Sequence, residues 1–210
     1  MTDITARQQE AEPTADQVRR GRRTALILFA IGFGPMIFAT IMYYTGWLHP
    51  ESRSNHGELI LPAVPVEQLN LAGADGDPLE QRFGPLLHEP KWMMIVVAET
   101  CGSDCERLMY LARQVNIALG KNANRMGRGA WIGEIPEELQ TRWRSEYSSM
   151  ERLRLVGEGA SWPNGIDPAE ESRILLVDPF GNVMMHYGTE HTGKEMLEDL
   201  KHLMKLSQIG

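Results

Sequence analysis

An apolar run near the N-terminus constrains the fold of this chain more than any other feature. Residues 24–48 read TALILFAIGFGPMIFATIMYYTGWL and contain no charged side chain. A helix of that length crosses the roughly 30 Å hydrocarbon layer of a membrane. Gly32, Gly34 and Pro35 lie near its middle, and membrane-spanning helices tolerate such residues. We therefore predict one transmembrane anchor at residues 24–48.

The charges that flank the apolar run predict its orientation. Four arginines lie just before it: Arg19, Arg20, Arg22 and Arg23. Residues 49–90 contain two arginines and no lysine. Because basic residues accumulate on the cytoplasmic side, we predict a single-pass inner-membrane protein with a cytoplasmic N-terminus and a periplasmic C-terminal domain. A cleaved signal peptide is the alternative, but its apolar run is shorter and ends at a small-residue cleavage site.

The rest of the chain divides into a tail, a linker and one domain. Residues 1–23 have few large apolar side chains, which predicts a disordered cytoplasmic tail. Residues 49–90 are rich in proline, glycine and acid, so we predict a linker with a lead-in edge strand. Residues 91–210 then form the folded domain. The net charge of −7 leaves no basic face for phosphates outside the N-terminus, which argues against a nucleic-acid partner.

The pattern of residues 91–210 predicts alternating strands and helices. The continuous apolar run at 91–98 is typical of a strand buried on both faces. A helix starts around Ser103 and stops near Gly120. Strand-like runs follow at 126–134, at 152–158 and on both sides of a turn at 178–182, and helical patterns at 136–150 and 192–206. This order predicts an α/β sandwich, a mixed sheet flanked by helices.

Two cysteines, Cys101 and Cys105, stand where the buried strand meets the first helix. Residues four apart share one face of a helix, so both sulfurs can converge. The helix N-terminus stabilises the thiolate, which attacks disulfides and binds soft metals such as copper(I). A structural disulfide is the alternative that an exported compartment permits. Glu99 precedes the pair, and we expect it to raise the pKa of the Cys101 thiol by like-charge repulsion.

The order of these elements resembles that of a known family. The strand–CGSDC–helix opening, the hairpin ILLVDPFGNVMMHYG and the closing helix resemble the Sco/SenC family of thioredoxin-like proteins, which also have an N-terminal anchor. The resemblance implies a thioredoxin-like sandwich behind one transmembrane helix. It also implies a role in assembling the copper centre of cytochrome c oxidase, with copper or redox chemistry at Cys101 and Cys105. The implied partners are a respiratory oxidase subunit or its assembly factors.

The chain departs from the family pattern at two positions. The family's histidine ligand stands eight residues before the hairpin aspartate, here Asp178, and that position is Glu170. The second cysteine is followed by Glu106, where the family usually has proline. The source of a third copper ligand is therefore open. The histidines available to supply it are His49, His56, His88, His186, His191 and His202.

Three functions remain open from the sequence. The first is oxidase assembly, by copper delivery or by redox chemistry of the cysteines. The second is a general periplasmic thiol–disulfide oxidoreductase with Cys101 as the attacking thiol. The third is a non-catalytic tethered assembly module in which Cys101 and Cys105 form an inert disulfide. Whether the chain is an enzyme depends on which of these is correct.

Overall fold

A computed structural model describes residues 15–45, 55–157 and 159–207 of the chain. The chain divides into two compact units between Ser52 and Arg53. In the first unit, helix α1 spans Ala15–Thr45. Within the described ranges it is the one helix that is long and apolar enough to cross a membrane.

Helix α1 begins before the predicted membrane span. Residues 15–23, predicted as part of a disordered tail, are helical. Alanine, glutamine and arginine are good helix formers, and extending an existing helix costs little because the first turn is already formed. Residues 1–14 of the predicted tail and residues 46–48 of the predicted membrane span lie outside the described residues.

The second unit is built on a mixed sheet. In its described part the strands are β1 (Glu58–Pro65), β2 (Leu71–Ala72), β3 (Trp92–Thr100), β4 (Met126–Glu134), β5 (Glu151–Leu155), β6 (Arg173–Val177) and β7 (Asn182–Tyr187). They are ordered β1-β7-β6-β3-β4-β5-β2. Strands β3, β4 and β5 are parallel to one another. The other neighbours are antiparallel, so the predicted mixed sheet is confirmed.

Helices cover one face of this sheet. They are α2 (Ser103–Ala118), α3 (Glu137–Glu146) and α4 (Gly193–Leu206). Their buried side chains form one core cluster with alternate residues of β3, such as Met94 and Val96. This cluster also contains Cys101 and Cys105, so the cysteines lie on the helix-covered face.

The opposite face is covered by residues that the sequence suggested were a linker. Val66, Leu69 and Leu79 are buried in a second cluster with Ile95 of β3. A strand buried on both faces needs an apolar layer on each side, and among the described residues no α-helix supplies the second one. The linker predicted at residues 49–90 is therefore part of the fold from the start of β1 onward.

The element boundaries follow local sequence signals closely. Helix α2 starts at Ser103, as predicted. The predicted hairpin is confirmed, because the Asp178 carboxylate accepts the backbone N–H groups of Phe180 at 2.9 Å and Asn182 at 2.8 Å. Strand β5 ends at Leu155, before the predicted end at 158, and residue 158 lies outside the described residues.

A buried carboxylate ties the approach to β1 to helix α4. Asp199 is only 3% exposed. It accepts the backbone N–H groups of His56 at 2.9 Å and Gly57 at 2.8 Å, and the Tyr187 hydroxyl donates to it at 3.2 Å. Burial and the neighbouring Asp199 charge together raise the pKa of the Tyr187 hydroxyl above its usual value. The residues that lead into β1 are therefore held by helix α4.

Replacing Asp199 with alanine is expected to lower the free energy of unfolding by about 3 kcal/mol, because three donors lose their acceptor. Urea denaturation of the full-length protein in detergent measures this loss. Glu198→Ala is the matched control, since the Glu198 side chain is 52% exposed. An equal loss in both variants would show that the Asp199 contacts contribute nothing specific.

Candidate redox site

Cys101 and Cys105 lie where β3 meets helix α2, and their sulfurs form a disulfide bond. The two Cα atoms are 5.1 Å apart, a normal separation for a disulfide. Gly102 is the N-cap residue of α2, which places Cys105 in the first turn of the helix. Unpaired backbone N–H groups at this end of a helix favour negative charge on a nearby sulfur.

The two cysteines differ in their access to solvent. Cys101 is 6% exposed and Cys105 is fully buried. Both cysteines are therefore nearly enclosed, and Cys101 keeps the larger exposed fraction.

A polar cavity of about 350 Å³ adjoins the disulfide. The start of α2, the segment that leads into β6 and the loop after β7 line it together. Its charged lining residues are Asp104, Glu170, Glu171, Arg173 and Glu190, and Cys105 also lines it. Glu170 occupies the position at which the Sco/SenC pattern has a histidine, so the fold brings that position next to the cysteine pair.

Among the described residues that line this cavity, Arg173 is the single cation. Its guanidinium forms ion pairs with Glu171 and with Glu190, the latter with Nη1 3.2 Å from Oε1. A Cβ at position 188 would meet the ends of the Arg173 and Glu190 side chains, which would have to move to make room for it. Burial opposes ionisation of Glu190, but a hydrogen bond from its own backbone and the charge of Arg173 lower the pKa of its carboxyl.

Glu99 does not take the position that the sequence suggested. Its side chain lines a separate cavity with Trp131 and Arg152, whereas the preceding residue, Ala98, belongs to the cluster that contains Cys105. Neighbouring residues of a strand point to opposite faces. Glu99 is therefore on the face opposite the disulfide, and the expected like-charge repulsion of the Cys101 thiol has no support from its placement.

The two buried histidines contact residues other than the cysteines, although His191 lies beside the cavity, with its Nδ1 3.0 Å from Glu190 Oε1. His186 Nε2 lies 3.4 Å from Glu58 Oε2, and burial lowers the pKa of the imidazole. His191 accepts the Gly188 N–H at Nδ1, 3.1 Å away, and its Nε2 lies 3.0 Å from the carbonyl oxygen of His56. Of the described residues that line the disulfide cavity, none is a histidine.

The described residues do not fit a three-ligand copper site. Within the described ranges, no three His, Cys, Asp or Glu side chains are grouped so that they could hold a metal ion. Cys101 and Cys105 are joined to each other, which leaves neither as a thiolate for copper(I). His49, another candidate ligand, lies outside the described residues.

Comparison with protein families identifies the folded unit. A family model described as "Transmembrane-like, thioredoxin-like, C-terminal domain" matches residues 92–207, more than half of the chain. The chain belongs to this family. A second model, "Transmembrane-like, N-terminal domain", matches residues 15–46. The predicted thioredoxin-like sandwich behind one N-terminal apolar helix is thereby confirmed, and a membrane anchor is supported.

Several solved structures are similar to the thioredoxin-like chain at low identity. Apo Sco1 from Thermus thermophilus is 15% identical, with a TM-score of 0.48 and coverage of 73% of this chain and 99% of that one. ScoI from Bradyrhizobium japonicum, solved with copper bound, is 16% identical, with a TM-score of 0.43 and coverage of 67% and 98%. A thiol:disulfide interchange protein from Bacteroides sp. is 15% identical, with a TM-score of 0.40 and coverage of 72% and 91%. The comparison with curated proteins gives no match.

Sequence reasoning singled out the cysteines and Glu170 but missed Arg173 and Glu190. Those two residues reach the cavity because β6 lies beside β3 in the sheet and the loop after β7 follows it. Spacing along the chain does not encode that adjacency. One feature of the sequence could have pointed to Arg173: it is a charged residue at the first position of the otherwise apolar strand β6.

Proposed function

We propose that this protein is a membrane-tethered thiol–disulfide exchange protein. The observation that supports this most directly is the Cys101–Cys105 disulfide at the start of α2, next to an ionic cavity. A disulfide between residues four apart closes a short loop and stabilises a fold less than a disulfide between distant segments does. We therefore infer that the disulfide takes part in redox chemistry. A helix N-terminus supports such chemistry because it stabilises the thiolate form of a nearby cysteine.

The exchange proceeds in two balanced steps. In the reduced protein, the Cys101 thiolate attacks one sulfur of a partner disulfide, forms a mixed disulfide and releases the other partner sulfur as a thiolate. The Cys105 thiolate then attacks the Cys101 sulfur, forms the bond seen here and releases the second partner thiolate. Two electrons pass from this protein to its partner. Run in reverse, the same steps oxidise a partner dithiol.

The resemblance to the Sco/SenC family supplies the biological setting of the proposal. In that setting the exchange assists assembly of the copper centre of cytochrome c oxidase, and the partner is an oxidase subunit or one of its assembly factors. The four arginines before the membrane span support a cytoplasmic N-terminus and an inner-membrane location. The thioredoxin-like domain is then periplasmic, a compartment in which disulfides persist.

The reduction potential of the disulfide tests this function. We expect it to lie well above about −300 mV, the level below which structural disulfides resist reduction by glutathione. Equilibration of the full-length protein in detergent with glutathione redox buffers, followed by alkylation and mass spectrometry, measures it. Cys101→Ser is the control that has no disulfide. A potential below that level would leave the inert assembly module as the correct function.

The difference in exposure predicts which cysteine forms the mixed disulfide. With Cys105→Ser, glutathione disulfide is expected to form a stable adduct at Cys101, because no second thiol can resolve it. With Cys101→Ser, the buried Cys105 is expected to react at least about tenfold more slowly. Mass spectrometry of both variants over time provides the rates. Equal rates would remove Cys101 from the role of attacking thiol.

Copper delivery is a second candidate. The position at which the Sco/SenC pattern has a histidine is Glu170 in this chain, and it lines the same cavity as Cys105. Reduction of the disulfide would provide two thiolates, which are good ligands for copper(I). A carboxylate is a poor third ligand for that ion. Copper(I) is therefore a candidate cargo of the reduced protein, held by Cys101 and Cys105, with the source of a third ligand still to be supplied.

Glu170→His tests this placement directly. A histidine at 170 is expected to raise the affinity of the reduced full-length protein for copper(I) by at least about tenfold, since imidazole suits copper better than carboxylate does. Titration against a competing copper(I) chelator measures the change. Glu171→His is the matched control, because the Glu171 side chain is directed to Arg173. Equal affinities in the two variants would exclude position 170 as a ligand position.

A further inference from the structure

Negative charges outnumber positive charges in the cavity beside the disulfide. Of the charged residues that line the cavity beside Cys105, four are carboxylates and Arg173 is the cation. Opening the disulfide by attack at Cys101 leaves an electron pair, and thus a negative charge, on the Cys105 sulfur. Cys105 is fully buried, so water screens that charge weakly. Carboxylates near the sulfur oppose the charge, and a nearby guanidinium offsets them.

The position of Arg173 is held on several sides. Glu171 and Glu190 pair with its guanidinium, and its side chain is only 18% exposed. The missing side chain of Gly188 leaves the space that Arg173 and Glu190 occupy. A cation held in this way acts from a constant position, unlike a mobile surface lysine or arginine.

We propose that Arg173 is a positioning residue of the disulfide site, whose charge stabilises the Cys105 thiolate that forms when the Cys101–Cys105 bond is opened. The inference rests on the proposed exchange function, because it concerns the redox balance of the same site. Glu171 and Glu190 fix the guanidinium and also moderate its charge. Arg173 therefore favours the reduced form of the protein, and its carboxylate partners favour the disulfide.

Two variants that change the charge near Cys105 in opposite directions test this inference. Arg173→Gln is expected to lower the equilibrium constant for reduction by glutathione about threefold, which is a potential about 14 mV more negative. Glu171→Gln is expected to shift the potential in the opposite direction, because it leaves the Arg173 charge less compensated. Arg173→Lys keeps the charge and is expected to restore most of the wild-type value. All four proteins are measured at full length in detergent, with glutathione redox buffers at one pH and low salt.

The outcomes separate electrostatics from structural damage. Opposite shifts for Arg173→Gln and Glu171→Gln, both reduced by added salt, support the inference, because loss of packing would not change sign between them. Shifts in the same direction, or no shift in either variant, overturn it. If Arg173→Gln loses its circular dichroism signal, Glu171→Gln is compared with Glu170→Gln, because both carboxylates line the cavity and Glu171 pairs with Arg173. A larger shift for Glu171→Gln supports the inference, and equal shifts overturn it. A wild-type potential typical of inert disulfides would contradict the exchange function, whereas opposite shifts around it would still support the role of Arg173.

Discussion

Burial of β3 on both faces is the constraint on which the rest of the domain depends. Residues from Trp92 to Ala98 are all buried, so the strand needs an apolar layer above and below it. The helices supply one layer, and the segment around Val66–Leu69 supplies the other. The disulfide lies just beyond the end of β3, and both cysteines belong to the cluster on the helix-covered face.

Opposing charges lie around the disulfide. The N-terminus of α2 favours a thiolate, whereas Asp104 and the glutamates of the cavity oppose one. Arg173 lies between Glu171 and Glu190 and offsets them in part. Under the proposed exchange function, these opposing charges set the balance between the dithiol and the disulfide.

Local signals in the sequence predicted much of this structure. Helix α2 starts at Ser103, and the Asp178 turn forms, because of residues that are close together in the chain. The apolar helix likewise depends on a continuous stretch of sequence. The lead-in edge strand was predicted and is β1, but the role of residues 66–82 as a core layer was missed, since proline and glycine there indicated a linker. Their burial is decided by the uncovered face of β3, which lies far away in the sequence.

The sequence by itself determined the long apolar helix, the α/β character of the domain and the meeting of both cysteines at a helix start. These depend on hydrophobic length, periodicity and spacing, which act over short stretches of chain. Only the tertiary structure decided that Glu99 faces away from the disulfide and that Glu170, Arg173 and Glu190 surround it. The physical reason is that strand order places distant segments side by side. The electric field at a sulfur depends on distance in space, whatever the separation along the chain.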